Sequence, residues 1–209
     1  MSIICPTVTA FSLDEYKEQL ERLIPFALRI HIDLMDGDFA PTLSPSVSEV
    51  WWPKNIQADL HIMYQRPMDV LDDVMAHHPH LTVVHAEAEH ANSFVHELHE
   101  ARMKVGIALL PETPVEVIHQ FINVIDHVLI FSGNLGHHGG TANLLLMSKV
   151  AAVRAMRPDI EIGWDGGVND KVVRILAEAG VDVLNTGGYI QKADNPAEVY
   201  QTLLQLLQS

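Results

Sequence analysis

A chain of 209 residues with 48% hydrophobic content has enough apolar material for one sizeable core and is not disordered. Its 27 acids against 13 Lys plus Arg leave a formal net charge of −14, which argues against a nucleic-acid partner and disfavours an anionic membrane surface. A phosphorylated small molecule stays open, because a few backbone N–H groups can hold a phosphate without net positive charge.

Short β-branched apolar runs alternate with longer amphipathic stretches. The pattern predicts a strand over Ile3–Thr9, then a helix over Leu13–Ala27 capped by Ser12. Strand Ile30–Met35 precedes helix Ser46–Trp52, and strand Ala58–Met63 precedes helix Met68–His77. Strand Leu81–Ala86 leads to helix Ala91–Ala101, and strand Val105–Leu110 to helix Pro114–Phe121. Strand His127–Ser132 is followed by helix Ala142–Met156, and strand Glu161–Trp164 by helix Asp170–Ala179 with Asn169 as its cap. Gly180 stops that helix before strand Val181–Thr186, and Asn195 caps a last helix over Pro196–Leu207. The start, Met1-Ser2-Ile3-Ile4-Cys5-Pro6, lacks the basic and long apolar regions of a signal peptide. No apolar run approaches the ~20 residues of a membrane helix. The single Cys5 allows no intrachain disulfide and fits a reducing cytoplasm.

Eight strands alternating with helices over this length predict a single-domain α/β protein spanning 1–209, a (β/α)₈ barrel. A doubly wound sheet is the alternative, but no Gly-x-Gly-x-x-Gly follows the first strand. In a barrel, functional groups sit at the C-terminal ends of the strands. His31, Asp33, Met35, His61, Met63, His85, Glu87 and Asp165 all fall there.

Strand alternation puts His31 and Asp33 on one face, with His61 able to lie beside them. With Asp165 they form a two-imidazole, two-carboxylate set suited to one divalent metal ion, Zn²⁺, Fe²⁺, Mn²⁺ or Co²⁺. A purely structural polar network is the competing reading. His77, His78, His80, His90, His96 and His99 read as loop or helix-surface residues. Asp33 and Asp165, on strands two and seven, could serve as base and acid on opposite faces of one substrate carbon. Asp36 begins a turn and reads as loop-forming. Met35 and Met63 share the inward face and could floor the site. Three Gly-rich segments follow strands six, seven and eight: 134–140 with Gly139 and Gly140, then Gly166-Gly167, then Gly187-Gly188. Together they favour a phosphate site. His137 and His138 read equally as a flexible lid or a solvated loop tip, and Trp51 and Trp52 read as packing.

These residues resemble the ribulose-phosphate 3-epimerase family along essentially the whole chain. The resemblance is carried by Cys5-Pro6-Thr7, His31-Ile32-Asp33-Leu34-Met35-Asp36-Gly37, Asp59-Leu60-His61-Ile62-Met63, His85-Ala86-Glu87-Ala88, Lys104–Leu109 and Asp165-Gly166-Gly167-Val168. It implies a metal held by His31, Asp33, His61 and Asp165, with Asp33 and Asp165 as the acid/base pair. It also implies Thr7 among the substrate contacts, a phosphorylated sugar as partner, and a homo-oligomer, dimer or hexamer, for which Trp51 and Trp52 could serve an interface. The reaction implied is interconversion of D-ribulose 5-phosphate and D-xylulose 5-phosphate.

Several positions depart from the family pattern. Thr7 stands for a Ser, Phe131 for a Met, Trp164 for a small aliphatic, and Gly188 for the Ser of a Gly-Ser pair. The segment Asn134–Thr141 lacks the usual Pro, Phe and Gln, which motivates a non-catalytic sugar-phosphate-binding barrel as one alternative. Thr42-Leu43-Ser44-Pro45 and Pro111-Glu112-Thr113-Pro114 look more like the branch acting on hexulose 6-phosphates such as allulose 6-phosphate. A related barrel decarboxylase or synthase is disfavoured, because Asp33-Leu34-Met35-Asp36 holds no Lys.

Overall fold

The computed structural model describes residues 2–208. Eight parallel strands pair in sequence order and close on themselves: β1 (Ile3–Thr9), β2 (Arg29–Met35), β3 (Gln57–Met63), β4 (Leu81–His85), β5 (Val105–Leu109), β6 (His127–Phe131), β7 (Glu161–Asp165) and β8 (Val183–Thr186). Every strand lies within two residues of its predicted limits at each end. The closure between β1 and β8 pairs Ile3 with Val183 and Pro6 with Thr186.

The helices are α1 (Leu13–Leu23), α2 (Leu71–His77), α3 (Ala91–Glu100), α4 (Met147–Met156), α5 (Val173–Glu178), α6 (Gly188–Gln191) and α7 (Pro196–Gln208). Ser12 caps α1 as expected, its hydroxyl accepting from the Glu15 amide at 3.2 Å. The α1 face carrying Tyr16, Gln19, Leu20 and Leu23 is buried, the spacing of one helical stripe. Three predicted helices are corrected. Residues 46–52 hold only a 3₁₀ turn, Val47–Glu49, between Pro45 and Pro53. Residues 114–121 are a 3₁₀ turn over Val115–Gln120. The segment opened by Asn169 becomes α-helical only at Val173, because the Asn169 side chain first closes a turn onto the Lys171 amide at 2.9 Å. Gly180 does end α5, at φ +99°, where residues other than glycine are strained.

Strand alternation divides the core. Ile30, Ile32 and Leu34 of β2 point outward into the apolar layer beneath the helices, joined there by Trp164 and Phe94. Arg29, His31, Asp33 and Met35 point inward, by the same two-residue period. At the strand starts, Arg29 reaches across the barrel to Glu161 at 2.8 and 2.9 Å, and contacts Asp59 at 2.7 Å. His127 Nδ1 lies 2.8 Å from the same Glu161. Leu81, Val83, Ala108 and Leu129 form an apolar plug above that layer. The top layer, at the strand ends, holds His31, Asp33, His61 and Asp165. Among the described residues no helix is long and apolar enough to cross a membrane.

Candidate active site

Register brings the top layer together. Asp33 pairs directly with His61 across β2 and β3, and Met35 with Met63. Asp165 enters from β7, across the barrel axis. His61 Nδ1 lies 3.0 Å from Asp33 Oδ1 and 3.8 Å from Asp165 Oδ2. His31 Nε2 lies 3.3 Å from Asp33 Oδ1 and 3.9 Å from Asp165 Oδ2. One ligand atom from each of the four falls within 4.8 Å of all the others. His31 Nε2 is buried and has no hydrogen-bond partner, although it faces the centre of this group. A buried imidazole nitrogen left in that state costs free energy unless something sits before it.

The two carboxyls differ in environment. Burial pushes Asp33 up, but its contacts with His31 and His61 outweigh that and hold it well below the ordinary carboxylate range. Thr9 adds a hydroxyl hydrogen bond to Asp33 Oδ2 at 2.7 Å. Asp165 is raised well above the ordinary range by burial and by the nearby Asp33 charge, with one opposing hydrogen bond from the Gly166 backbone. The surroundings thus push the two carboxyls in opposite directions, Asp33 toward its charged form and Asp165 toward its neutral one. Burial also pulls His31 down to about 4, against the pull of Asp33.

A cavity of about 180 Å³ opens above this group. Thr7, Met35 and Met63 line it together with Asp33, Asp165 and Phe131. Gly139 and Gly140, Gly166 and Gly167, and Gly187 and Gly188 form its rim. His31 and His61 lie behind the lining. At Gly166 and Gly167 the rim is backbone packed on backbone, whereas Gly139 and Gly140 face open space. A Cβ on Gly166 would fall 2.2 Å from the Gly133 nitrogen, and one on Gly167 would fall 2.0 Å from the Ala142 nitrogen, both at positive φ.

The loop after β6 spans the mouth. Its Gly136 carbonyl accepts from the Thr42 hydroxyl at 2.7 Å, and His137 borders the cavity. His138 packs edge-on against Phe11 at 5.0 Å, with Nε2 3.4 Å from Glu15 Oε1. Asp36 is loop-forming: its carboxylate accepts from the Asp38, Phe39 and Gln65 amides. Trp51 is half exposed, and its carbonyl accepts from the Tyr16 hydroxyl at 2.5 Å, while Trp52 packs on the outer core.

Sequence reasoning does not single out Thr9, Asn185 or the role of His85. Thr9 and Asn185 line the cavity, and His85 Nε2 stands 2.9 Å from His61 Nε2. A usable signal exists for Thr9, which shares the inward parity of Thr7. Helix α6, which starts at Gly188 on the rim, is also absent from the sequence pattern.

The model of the Ribulose-phosphate 3 epimerase family matches residues 3–191. A ribulose-phosphate 3-epimerase from Treponema pallidum is 32% identical over 166 residues, covering 76% of each chain. One from Schizosaccharomyces pombe is 30% identical over 208 residues, covering 96% of this chain and 91% of its own. Among solved structures, 3-hexulose-6-phosphate synthase from Salmonella typhimurium superposes with a TM-score of 0.72 over 99% of this chain and 98% of its own, at 14% identity. KGPDC from Streptococcus mutans gives 0.74 over 100% and 98%, at 11% identity. At such identities the two structures share the barrel architecture with this chain.

Proposed function

The chain belongs to the ribulose-phosphate 3-epimerase family, and from that membership we propose that it inverts C3 of D-ribulose 5-phosphate to give D-xylulose 5-phosphate. Epimerisation of a ketose phosphate follows from the family itself. The pentulose is our reading, supported by the names of the relatives. One observation carries the mechanism: four ionisable side chains from β2, β3 and β7 meet beneath a glycine-rimmed cavity.

Two imidazoles and two carboxylates, with the His31 nitrogen unpartnered, fit a divalent cation. His31, Asp33, His61 and Asp165 would hold Zn²⁺, Fe²⁺, Mn²⁺ or Co²⁺. Such an ion, when bound, draws negative charge from the substrate oxygens beside C3. The chain's own groups do the rest. The Asp33 carboxylate takes the C3 proton from one face, leaving a planar enediolate. The Asp165 carboxylic acid returns a proton to the other face, and the configuration inverts. For the reverse reaction the two exchange roles. Met35 and Met63 give the enediolate an apolar floor that keeps water from it. Backbone N–H groups of Gly166, Gly167, Gly187 and Gly188 would receive the phosphate, with Thr7 beside it. A single domain over 1–209, assembly into dimers or hexamers and a cytoplasmic setting belong to the same reading.

The test follows C3–H exchange with solvent deuterium, with ribulose 5-phosphate and with a hexulose 6-phosphate. Exchange and epimerisation of the pentulose support the reading. Turnover of the hexulose alone moves the substrate to the longer sugar. Turnover of neither overturns both epimerase readings.

A further inference from the structure

Beyond His61 the wall of the site continues into polar groups that the proton-transfer scheme does not use. His61 directs Nδ1 at Asp33 and turns Nε2 toward His85, whose own Nε2 lies 2.9 Å away. His85 Nδ1 faces Glu87 Oε2 at 3.4 Å, a charge contact, and neither of these two buried atoms makes a hydrogen bond. The other Glu87 oxygen, Oε1, accepts from the Leu110 amide at 3.0 Å and from the Thr113 hydroxyl. Lys149 of α4 donates to the carbonyls of Leu110 and Thr113, both at 2.7 Å, and so pins the loop that holds Glu87. Phe39 and Phe131 cover the His85 ring, with centroids at 4.8 and 5.6 Å.

A neutral imidazole carries one hydrogen on two nitrogens, and two facing imidazole nitrogens need one hydrogen between them. Two carboxylates compete over which ring supplies it: Asp33, 3.0 Å from His61 Nδ1, and Glu87, 3.4 Å from His85 Nδ1. A carboxylate only accepts, so Glu87 favours a His85 that carries its hydrogen on Nδ1 and offers Nε2 as an acceptor. In the order Glu87 favours, His61 donates from Nε2 and leaves Nδ1 without a hydrogen, the form a cation needs, whereas Asp33 favours a hydrogen on that Nδ1. The reverse order would set a His85 lone pair against a carboxylate oxygen.

We propose that Glu87 is a positioning residue: acting through His85, it opposes the pull of Asp33 and favours the His61 tautomer whose Nδ1 can bind a divalent cation. This rests on the cation-site reading above. Hydrogen-bond partners one step behind a metal ligand typically change metal affinity 10–100-fold when removed.

Two variants test the relay. In Glu87→Gln the amide oxygen stays with the Leu110 amide and Thr113 hydroxyl, so the amide NH₂ faces His85 and reverses the order of hydrogens. His85→Phe keeps the Glu87 charge and an aromatic ring between Phe39 and Phe131, but cuts the path. Co²⁺ affinity is read from visible absorption and chelator competition, with thermal unfolding as the check on folding. Both variants are expected to bind Co²⁺ about 10–100-fold more weakly than the wild type. Wild-type affinity in E87Q overturns the relay. A weakened E87Q beside an unchanged H85F points to charge acting through space and overturns it equally. Should one variant not fold, the other decides. A wild-type protein that takes up no Co²⁺ removes the cation site itself, and the relay with it.

Discussion

At the residue scale, the proposed chemistry turns on two carboxyls that their surroundings push in opposite directions. Asp165 is the more telling position for a substitution. Asn keeps its shape and leaves the Thr9 and imidazole contacts of Asp33 in place, yet it has no proton to give. D165N should therefore lower kcat for epimerisation by about 10²–10⁴-fold, the usual range for losing a general acid, and remove solvent deuterium from C3 of the epimerised product. A rate within about threefold of the wild type would remove Asp165 from the mechanism. His31, Asp33 and His61 stand out in the sequence because polar groups interrupt apolar strands at alternate positions. Thr9 and Asn185 carry no such contrast. A threonine is an ordinary strand residue, and only closure of the barrel brings its hydroxyl to Asp33.

At the scale of elements, the strands are far more legible than the helices. β-branched runs bounded by turn residues mark strands sharply, whereas the outer layer uses short 3₁₀ turns where prolines crowd the chain. Pro45 and Pro53 confine residues 46–52 to a single turn, although their polarity pattern suits a helix. Helix α6 is four residues long, too short to show periodicity. Helix α1 is the opposite case, since its start is readable from Ser12 alone. The Ser12 hydroxyl accepts from the Glu15 amide, and the Glu15 carboxylate accepts in turn from the Phe11 amide at 2.9 Å. S12A should cost about 1 kcal/mol in urea unfolding. Because Glu15 also faces His138, the same variant tests whether the loop over the mouth depends on that helix start. A raised KM with kcat intact would show that it does.

For the whole molecule, the layer at the strand starts matters as much as the site above it. The Arg29 pairing and the His127 contact outweigh the effect of burial and hold Glu161 well below the ordinary carboxylate range. A carboxyl lowered in the folded state contributes stability above its unfolded pKa and loses it as pH falls. The stability contributed by Glu161 should thus be lost as pH drops below about 4.5. E161Q should flatten that decline and lower neutral-pH stability by roughly 1–3 kcal/mol, less than for a fully buried pair because Glu161 is 37% exposed. Urea titrations across pH check both. The same three strands serve both layers: β2 carries Arg29 and Asp33, β3 carries Asp59 and His61, and β7 carries Glu161 and Asp165. Each layer thus joins the first half of the chain to the second. Cut between β4 and β5, either fragment would keep charged groups whose counterparts had gone with the other. Chimaeras that exchange half-barrels between relatives must therefore carry matched residues at both levels, or they inherit a mismatch at each.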